Sequence, residues 1–393
     1  MKFIDKIKVN PTISFTKGKL YPFIEMANVD CNARSPKQIN SKIYSSGVKF
    51  EKGDTVIARI EPCLQNGKGF YVNELPCGFG STEFLVFRPK DESIDSKFLY
   101  YFLQNDYIRK SMIASMTGAT GRQRVNNDTF KSLDIEIPTL SIQKRIADIL
   151  STYDDLIENS QKQIKLLEEA AMMLYKEWFV NFRFPGYENT PFIDRLPEGW
   201  MKRHLGDYVK VKSGYAFKSS WWQKKGVPVI KIKDIQNNTI DLSQLDCVDP
   251  SNTQKAKEFH VLPGDLLIAM TGATTGKIAI VPMSVDMLVN QRVGKFFLGE
   301  NPLEKLPFVF CTINEANKYN WAINLANGSA QPNISAAQIE SLNIFYSDDI
   351  INLFNVKMQP YFQSIIKLRK LNTDAKQARD KLIPKLISGD IEV

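Results

Sequence analysis

The chain has 393 residues, of which 43% are hydrophobic and 24% charged, so a disordered chain is excluded and roughly two or three ordinary cores are available. Fifty-one Lys and Arg against 43 Asp and Glu leave a net charge of +8, which points toward a polyanion or an acidic partner without specifying one. Cys31, Cys63, Cys77, Cys247 and Cys311 are odd in number, scattered and never in a Cys-x-x-Cys pair, which argues against a disulfide framework or a zinc ribbon and fits a reducing cytoplasm. Met1 to Pro11 lacks the apolar run of a signal peptide, and no stretch has bilayer length, so neither export nor membrane insertion is expected.

From the N-terminus, short β-branched and aromatic runs broken by Gly, Pro, Asn and Asp, such as Thr55 to Ile60 and Phe84 to Phe87, predict strands and turns. Pro138 and Ser141 then signal a helix start, and Asn181 with Pro185 and Gly186 its stop. From Ile146 this helix places Leu150, Tyr153, Ile157, Ser160, Ile164, Leu167, Ala171, Leu174 and Trp178 at alternating steps of four and three. That is a heptad seam with one polar interruption, Ser160. Taken as Ile142 to Phe179, the helix is about 57 Å long at 1.5 Å per residue.

The second half repeats the first. Val227-Pro228-Val229-Ile230 answers Tyr21-Pro22-Phe23-Ile24, and Pro263-Gly264-Asp265 with Leu266 to Ala269 answers Lys52-Gly53-Asp54 with Thr55 to Ala58, at offsets of 206 and 211. Gly328 with Ile334 and Ser341-Leu342-Asn343-Ile344 answer Gly118 with Val125 and Ser132-Leu133-Asp134-Ile135, at offsets of 210 and 209. A second seam follows through Phe354, Met358, Tyr361, Ile365, Leu368, Leu371, Ala375, Ala378, Leu382 and Leu386, with a stammer where two steps of three meet at Leu368. Pro360 leaves the start of this helix uncertain, and Pro384 is expected to kink or end it before Gly389.

The resulting boundaries are 1–141 for a first mixed domain, 142–181 for a central helix, 182–350 for a second mixed domain and 351–393 for a C-terminal helix. Two seams in one chain can bury each other. The expected fold is therefore α+β, with two mixed α/β domains related by an approximate two-fold axis and separated by two long antiparallel, coiled-coil-like helices. A plainer alternative packs each helix on its own domain.

Most candidate chemistry fails. Gly272-Ala273-Thr274-Thr275-Gly276-Lys277 has three residues between its glycines where a phosphate-binding loop needs four, and Ile278 where that loop needs Ser or Thr. His204 and His260 are the only histidines and show no metal-ligand spacing. Asp154-Asp155 and Glu168-Glu169 fall on the outer faces of the helical pattern, where solvated charge is expected. No catalytic constellation and no metal site emerges.

The positive signal is charge with aromatics. Residues 1–141 carry +5, 142–180 carry −2, 181–350 carry +1 and 351–393 carry +4, yet residues 202–233 alone carry +8, with Asp207 their only acid. Lys212, Ser213, Tyr215, Lys218, Lys224 and Lys225 lie in this window, interleaved with Phe217, Trp221 and Trp222. Such a pattern suits phosphate contacts that position a duplex and side chains that reach its bases. It also suits a solvated lysine face over core aromatics, in which one of the adjacent Trp221 and Trp222 is buried. Arg122, Gln123 and Arg124 in one loop, and Gln331 and Asn333 in its counterpart, are the residue types that read G or A edges, or else they belong to polar turns.

Leu196-Pro197-Glu198-Gly199-Trp200 with Leu205-Gly206-Asp207, Ser213 to Ser219, Pro263-Gly264-Asp265, Gly272 to Lys277, Gly328 to Ser335, Trp178 to Phe182 and Leu382 to Gly389 stand in an order that resembles the specificity subunits of type I restriction-modification systems. The resemblance covers the whole chain. The first copy departs from it, lacking the Leu-Pro-x-Gly-Trp opening and carrying Arg122-Gln123-Arg124 in place of Gln331-Pro332-Asn333.

The resemblance implies a non-catalytic chain that reads a split, asymmetric DNA target, one half per mixed target recognition domain, and adds Lys277 to the DNA-contacting set. It implies two DNA-methyltransferase subunits and motor-endonuclease subunits as partners, with S-adenosylmethionine, ATP and Mg2+ bound there and no cofactor on this chain. Partner docking falls to Ile157, Ile164, Leu167, Leu174 and Trp178 on the first helix and Ile365, Leu368 and Leu382 on the second. Helices of about 57 Å would suit two readers on one DNA face roughly one turn, about 34 Å, apart. The competing readings are a protein-binding scaffold that does not read sequence and a stand-alone endonuclease.

Overall fold

Gly53 and Gly264, both at φ +90, turn the chain at the same point of the two repeats. A left-handed φ of this kind is open to glycine at little cost. The aspartate that follows closes each turn: Asp54 accepts from the Glu51 amide at 2.7 Å and Asp265 from the Leu262 amide at 2.7 Å. Each of these buried carboxylates meets a cation from a neighbouring strand, Arg88 at 2.6 Å and Lys295 at 2.8 Å, as a buried charge requires.

The structure, a computed structural model, describes residues 1–236, 238–242, 245–282, 286–317, 321–325 and 332–393. It divides into two compact units, Met1–Ile157 with Ala375–Val393, and Glu158–Asp374. In the first unit Ile7–Val9, Phe84–Pro89, Thr55–Ala58 and Gly69–Tyr71 form an antiparallel sheet in that order. A second sheet runs Asn40–Ile43, Leu20–Ile24, Cys77–Gly80, Val48–Glu51, with its central pair parallel. In the second unit Lys210–Ser213, Val293–Phe297, Leu266–Ala269 and Ile278–Ile280 repeat the first order, all antiparallel. The smaller sheet, Trp222–Gln223, Asp246–Val248, Val227–Ile230, Leu288–Val289, again has one parallel pair, between Val227–Ile230 and Leu288–Val289. The architecture is the expected α+β class, one mixed sheet topology built twice in one chain.

The first long helix spans Leu140–Tyr175 and ends in one wider turn, Lys176–Val180, where the Asn181 amide donates to the Lys176 carbonyl at 2.9 Å. The second spans Asp348–Ser388 without a break. Pro360 and Pro384 therefore neither start nor end it. Phe362 beside the first proline and Ile383 beside the second are buried, and this packing outweighs the backbone hydrogen bond that each proline forgoes.

The helices meet antiparallel within each unit. In the first, Ile146 and Leu150 share a core with Ile383 and Leu386, and Asp154 meets Arg379. In the second, the ring centroids of Tyr175 and Phe354 are 6.0 Å apart and Glu168 meets Arg369.

The second seam differs from the expected one. Tyr361 and Leu371 are exposed, while Phe362, Arg369, Asn372 and Arg379 lie on the buried face. The stammer lies at Asn372 and not at Leu368: the inward face admits Arg369 and Asn372, and two steps of three meet at Asn372 before the buried Ala375. Asp154 and Glu168, expected on outer faces, likewise turn inward, Asp154 to 2% exposure. Asp155 stays outside and pairs with Arg34 at 2.6 Å.

Candidate nucleic-acid interface

Each unit folds a loop back onto one end of its larger sheet. In the first, the Arg59 amide donates to the Glu83 carbonyl at 2.8 Å, the Val125 amide to the Arg59 carbonyl at 2.9 Å, and Thr117 and Arg124 exchange two bonds at 3.0 Å. In the second, the Met270 amide donates to the Arg292 carbonyl at 3.0 Å and the Ile334 amide to the Met270 carbonyl at 2.9 Å, while Asn333 pairs with Thr271. Ile60 pairs with Arg124 as Thr271 pairs with Asn333, and, the Thr117 rung apart, the two ladders agree. They equate Glu83 with Arg292 and Arg124 with Asn333.

The side chains on this ladder differ in sign. Arg124 lies in a two-point clamp, with Nε 2.9 Å and Nη2 2.6 Å from the Glu83 carboxylate, and these hydrogen bonds hold that carboxyl below the usual range. In the second unit the cation sits at the other member: Arg292 is exposed, and none of the described residues forms an ion pair with it. Arg292 and the exposed Gln291 were not legible as site residues, because only the fold brings residues 290–292 beside Asn333. Arg122 is exposed in the first loop, and the Gln123 amide group lies 3.5 Å from the Gly118 carbonyl. Lys277 is exposed after Gly276, and Asn333 is exposed on its ladder. Gln331 lies outside the described residues.

The basic window is less positive in the fold than in the sequence. Lys231 and Lys233 both reach Asp246 at 2.9 Å, Lys210 reaches Glu340 at 3.5 Å, and Lys212 pairs with Glu258. Ser213 is exposed and its hydroxyl lies 3.6 Å from the Met270 sulfur. Tyr215 stacks on Trp221, with centroids 6.1 Å apart, and Lys218 lies 5.8 Å above the Trp221 ring. Trp221 and Trp222 are both half-buried against Val227, Val229, Val248, Ala256 and Leu288, so neither is the fully buried one expected. Lys224 and Lys225 remain exposed in the turn before Val227.

The first unit carries an aromatic and lysine cluster that sequence reasoning missed. Phe15 stacks on Tyr21 at 4.1 Å, Tyr44 meets Phe15 edge-on at 5.4 Å, and Lys49 lies 5.1 Å from the Tyr44 ring. Lys42 lies 4.6 Å from the ring of Phe23. These residues are too widely spaced to form a window, and the strand pairing Leu20–Ile24 with Asn40–Ile43 assembles them.

The side chains expected to dock partners point inward. Ile157, Trp178 and Ile365 are buried, Ile164, Leu167 and Leu174 pack on the core of the second unit, Leu382 packs on that of the first, and Leu368 is half-buried. Five of the eight, Ile164, Leu167, Leu174, Leu368 and Leu382, are half-buried on this seam. The outward face of the first helix instead exposes Ile142, Ile149 and Leu156 in the first unit and Leu166, Met173 and Val180 in the second, each set at steps of seven. Among the described residues no group of His, Cys, Asp and Glu is arranged to hold a metal ion, and no helix is long and apolar enough to cross a membrane.

Residues 4–169 and 197–346 match the family model described as the type I restriction modification DNA specificity domain. The chain is 26% identical over 323 residues to the type I restriction enzyme MjaIX specificity subunit of Methanocaldococcus jannaschii, covering 78% of this chain and 71% of the relative. It is 24% identical over 410 residues to the HindI specificity subunit of Haemophilus influenzae, covering 87% of each. Its fold is similar to the crystal structure of a type I restriction-modification S subunit from M. genitalium, with a TM-score of 0.53, 15% identity, and coverage of 98% of this chain and 95% of that one.

Proposed function

The chain belongs to the type I restriction-modification DNA specificity family, and we propose that it reads a bipartite, asymmetric DNA target, one half-site per unit. The observation that carries this reading is the ladder built twice with different side chains, Glu83 and Arg124 in one unit and Arg292 and Asn333 in the other. Two readers of one backbone geometry and unlike chemistry suit two half-sites of unlike sequence, because base identity is read by side-chain donors and acceptors in the major groove. Lys218, Lys224 and Lys225, with Lys277, Ser213 and Tyr215, supply the phosphate and sugar contacts that position the duplex.

The chain catalyses nothing itself in this reading and acts in the cytoplasm. It docks two methylation subunits, which hold S-adenosylmethionine, and motor-endonuclease subunits, which use ATP and Mg2+. The outward stripes, Ile142, Ile149 and Leu156 and then Leu166, Met173 and Val180, are the docking faces, since exposed large apolar groups at helical spacing mark an interface. Methylation mapping of a genome with and without this gene tests the function: a split motif should vanish with the gene. A methylation pattern that survives the deletion intact would sink it.

A further inference from the structure

Resting on that reading, we propose that Glu83 is a positioning residue, which holds Arg124 so that its free edge reads a guanine in the half-site of the first unit. An arginine has five N–H donors in a rigid fork. Glu83 occupies the edge formed by Nε and Nη2, at 2.9 and 2.6 Å. The end of the fork, Nη1 with the second N–H of Nη2, is left with only a 3.5 Å contact from Nη1 to the Arg122 carbonyl. Two parallel donors at that end match the O6 and N7 acceptors of guanine.

The backbone beneath is fixed as well. Arg124 exchanges both its hydrogen bonds with Thr117 at 3.0 Å, and the Glu61 amide holds the Gln123 carbonyl at 2.9 Å. A guanidinium locked at both its base and its flank loses little freedom on meeting a base, which is what makes a contact selective.

Two observations separate this role from a structural one and from a phosphate contact. The ladder needs no acid at this position, because it forms with bonds within 0.2 Å of the same length around Arg292 in the second unit. The Glu83 carboxylate also stands beside the guanidinium, where it repels a phosphate but not the neutral edge of a base.

The test uses the full chain with its methylation subunits, and the readout is the methylated motif in cells carrying wild type, Glu83→Gln, Arg124→Ala or both. One half-site of the wild-type motif should contain a G·C pair whose preference falls about tenfold in each single variant and no further in the double. The other half-site should not change. Arg124→Lys keeps the charge and loses the fork, so it should lose the same preference while the salt dependence of binding holds. Glu83→Gln overturns the proposal if it leaves the motif intact, blurs both half-sites alike, or weakens preference further in the Arg124→Ala background. A wild-type complex that methylates no split motif removes DNA reading itself, whereas a split motif indifferent to Glu83 removes only this role.

Discussion

In the first unit Arg379, and in the second Arg369, carries a guanidinium from the second long helix to a carboxylate of the first, and both side chains are 4% exposed. Arg379 is fully answered. It meets Asp154, donates to the Asn32 carbonyl at 2.8 Å and to Asp380 at 2.8 Å, and the Tyr101 hydroxyl completes Asp154 at 2.6 Å. Arg369 meets Glu168, while its Nε and Nη1, like the Oδ1 of Asn372, find no partner among the described residues. Burial opposes the charge at both sites. It prevails at Arg369, whose proton affinity falls, whereas Asp154 and Asp380 outweigh it at Arg379, whose affinity rises. A buried ion pair thus stabilises a helix contact only when the remaining donors are also met.

The strongest way to break this comparison is to remove each arginine. Arg379→Met leaves Asp154 buried and unpaired and should cost about 3–5 kcal/mol in urea unfolding. Arg369→Met removes two unanswered donors and leaves Glu168 partly solvated, so it should be neutral or stabilising by about 1 kcal/mol. Equal losses would erase the distinction between the two units.

At the reading ladders, Asn333→Ala should cost roughly 1–3 kcal/mol of base discrimination in the half-site of the second unit alone. A uniform loss on every sequence would make Asn333 a positioning contact.

A smaller effect comes from Asp234 in the second unit, whose burial raises its carboxyl to about 6 from 3.8. The folded chain then binds this proton more tightly than the unfolded chain does, so the site loses stability as pH rises from about 4 to 6. Asp234→Asn should recover on the order of 1–2 kcal/mol above pH 6 and remove this falling limb, the loss of stability between about pH 4 and 6. An unchanged limb would assign that pH dependence elsewhere. The smallest changes concern phosphate contacts. Lys224→Ala and Lys225→Ala should each lower the slope of log affinity against log salt by about one, and Lys212→Ala by less, because Glu258 already neutralises it.

Much of this architecture was legible before any coordinates. The offsets of 206 to 211 between repeats reappear as one sheet order built twice, and the first helical seam holds at Leu150, Ile157, Ser160, Ala171 and Trp178. The second seam misled at Leu371 because periodicity arguments credit apolar residues, and the inward positions there belong to Arg369, Asn372 and Arg379. The candidate site was legible as residue types and not as partners. Arg124 reads as a free cation until Glu83, far away in sequence, is found beside it, and residues 202–233 read as +8 until Asp246, Glu258 and Glu340 close on them.

By itself the sequence determined the repeat, the strand and helix content, the family resemblance and the residue types available for reading DNA. These follow from local spacing and short-range pattern. Only the tertiary structure decided which charges are compensated, which helix face is inward, and that positions 83 and 124 of one unit answer 292 and 333 of the other. Those outcomes depend on contacts between residues distant in the chain, where burial removes water and a single opposing charge decides whether a side chain is free to act.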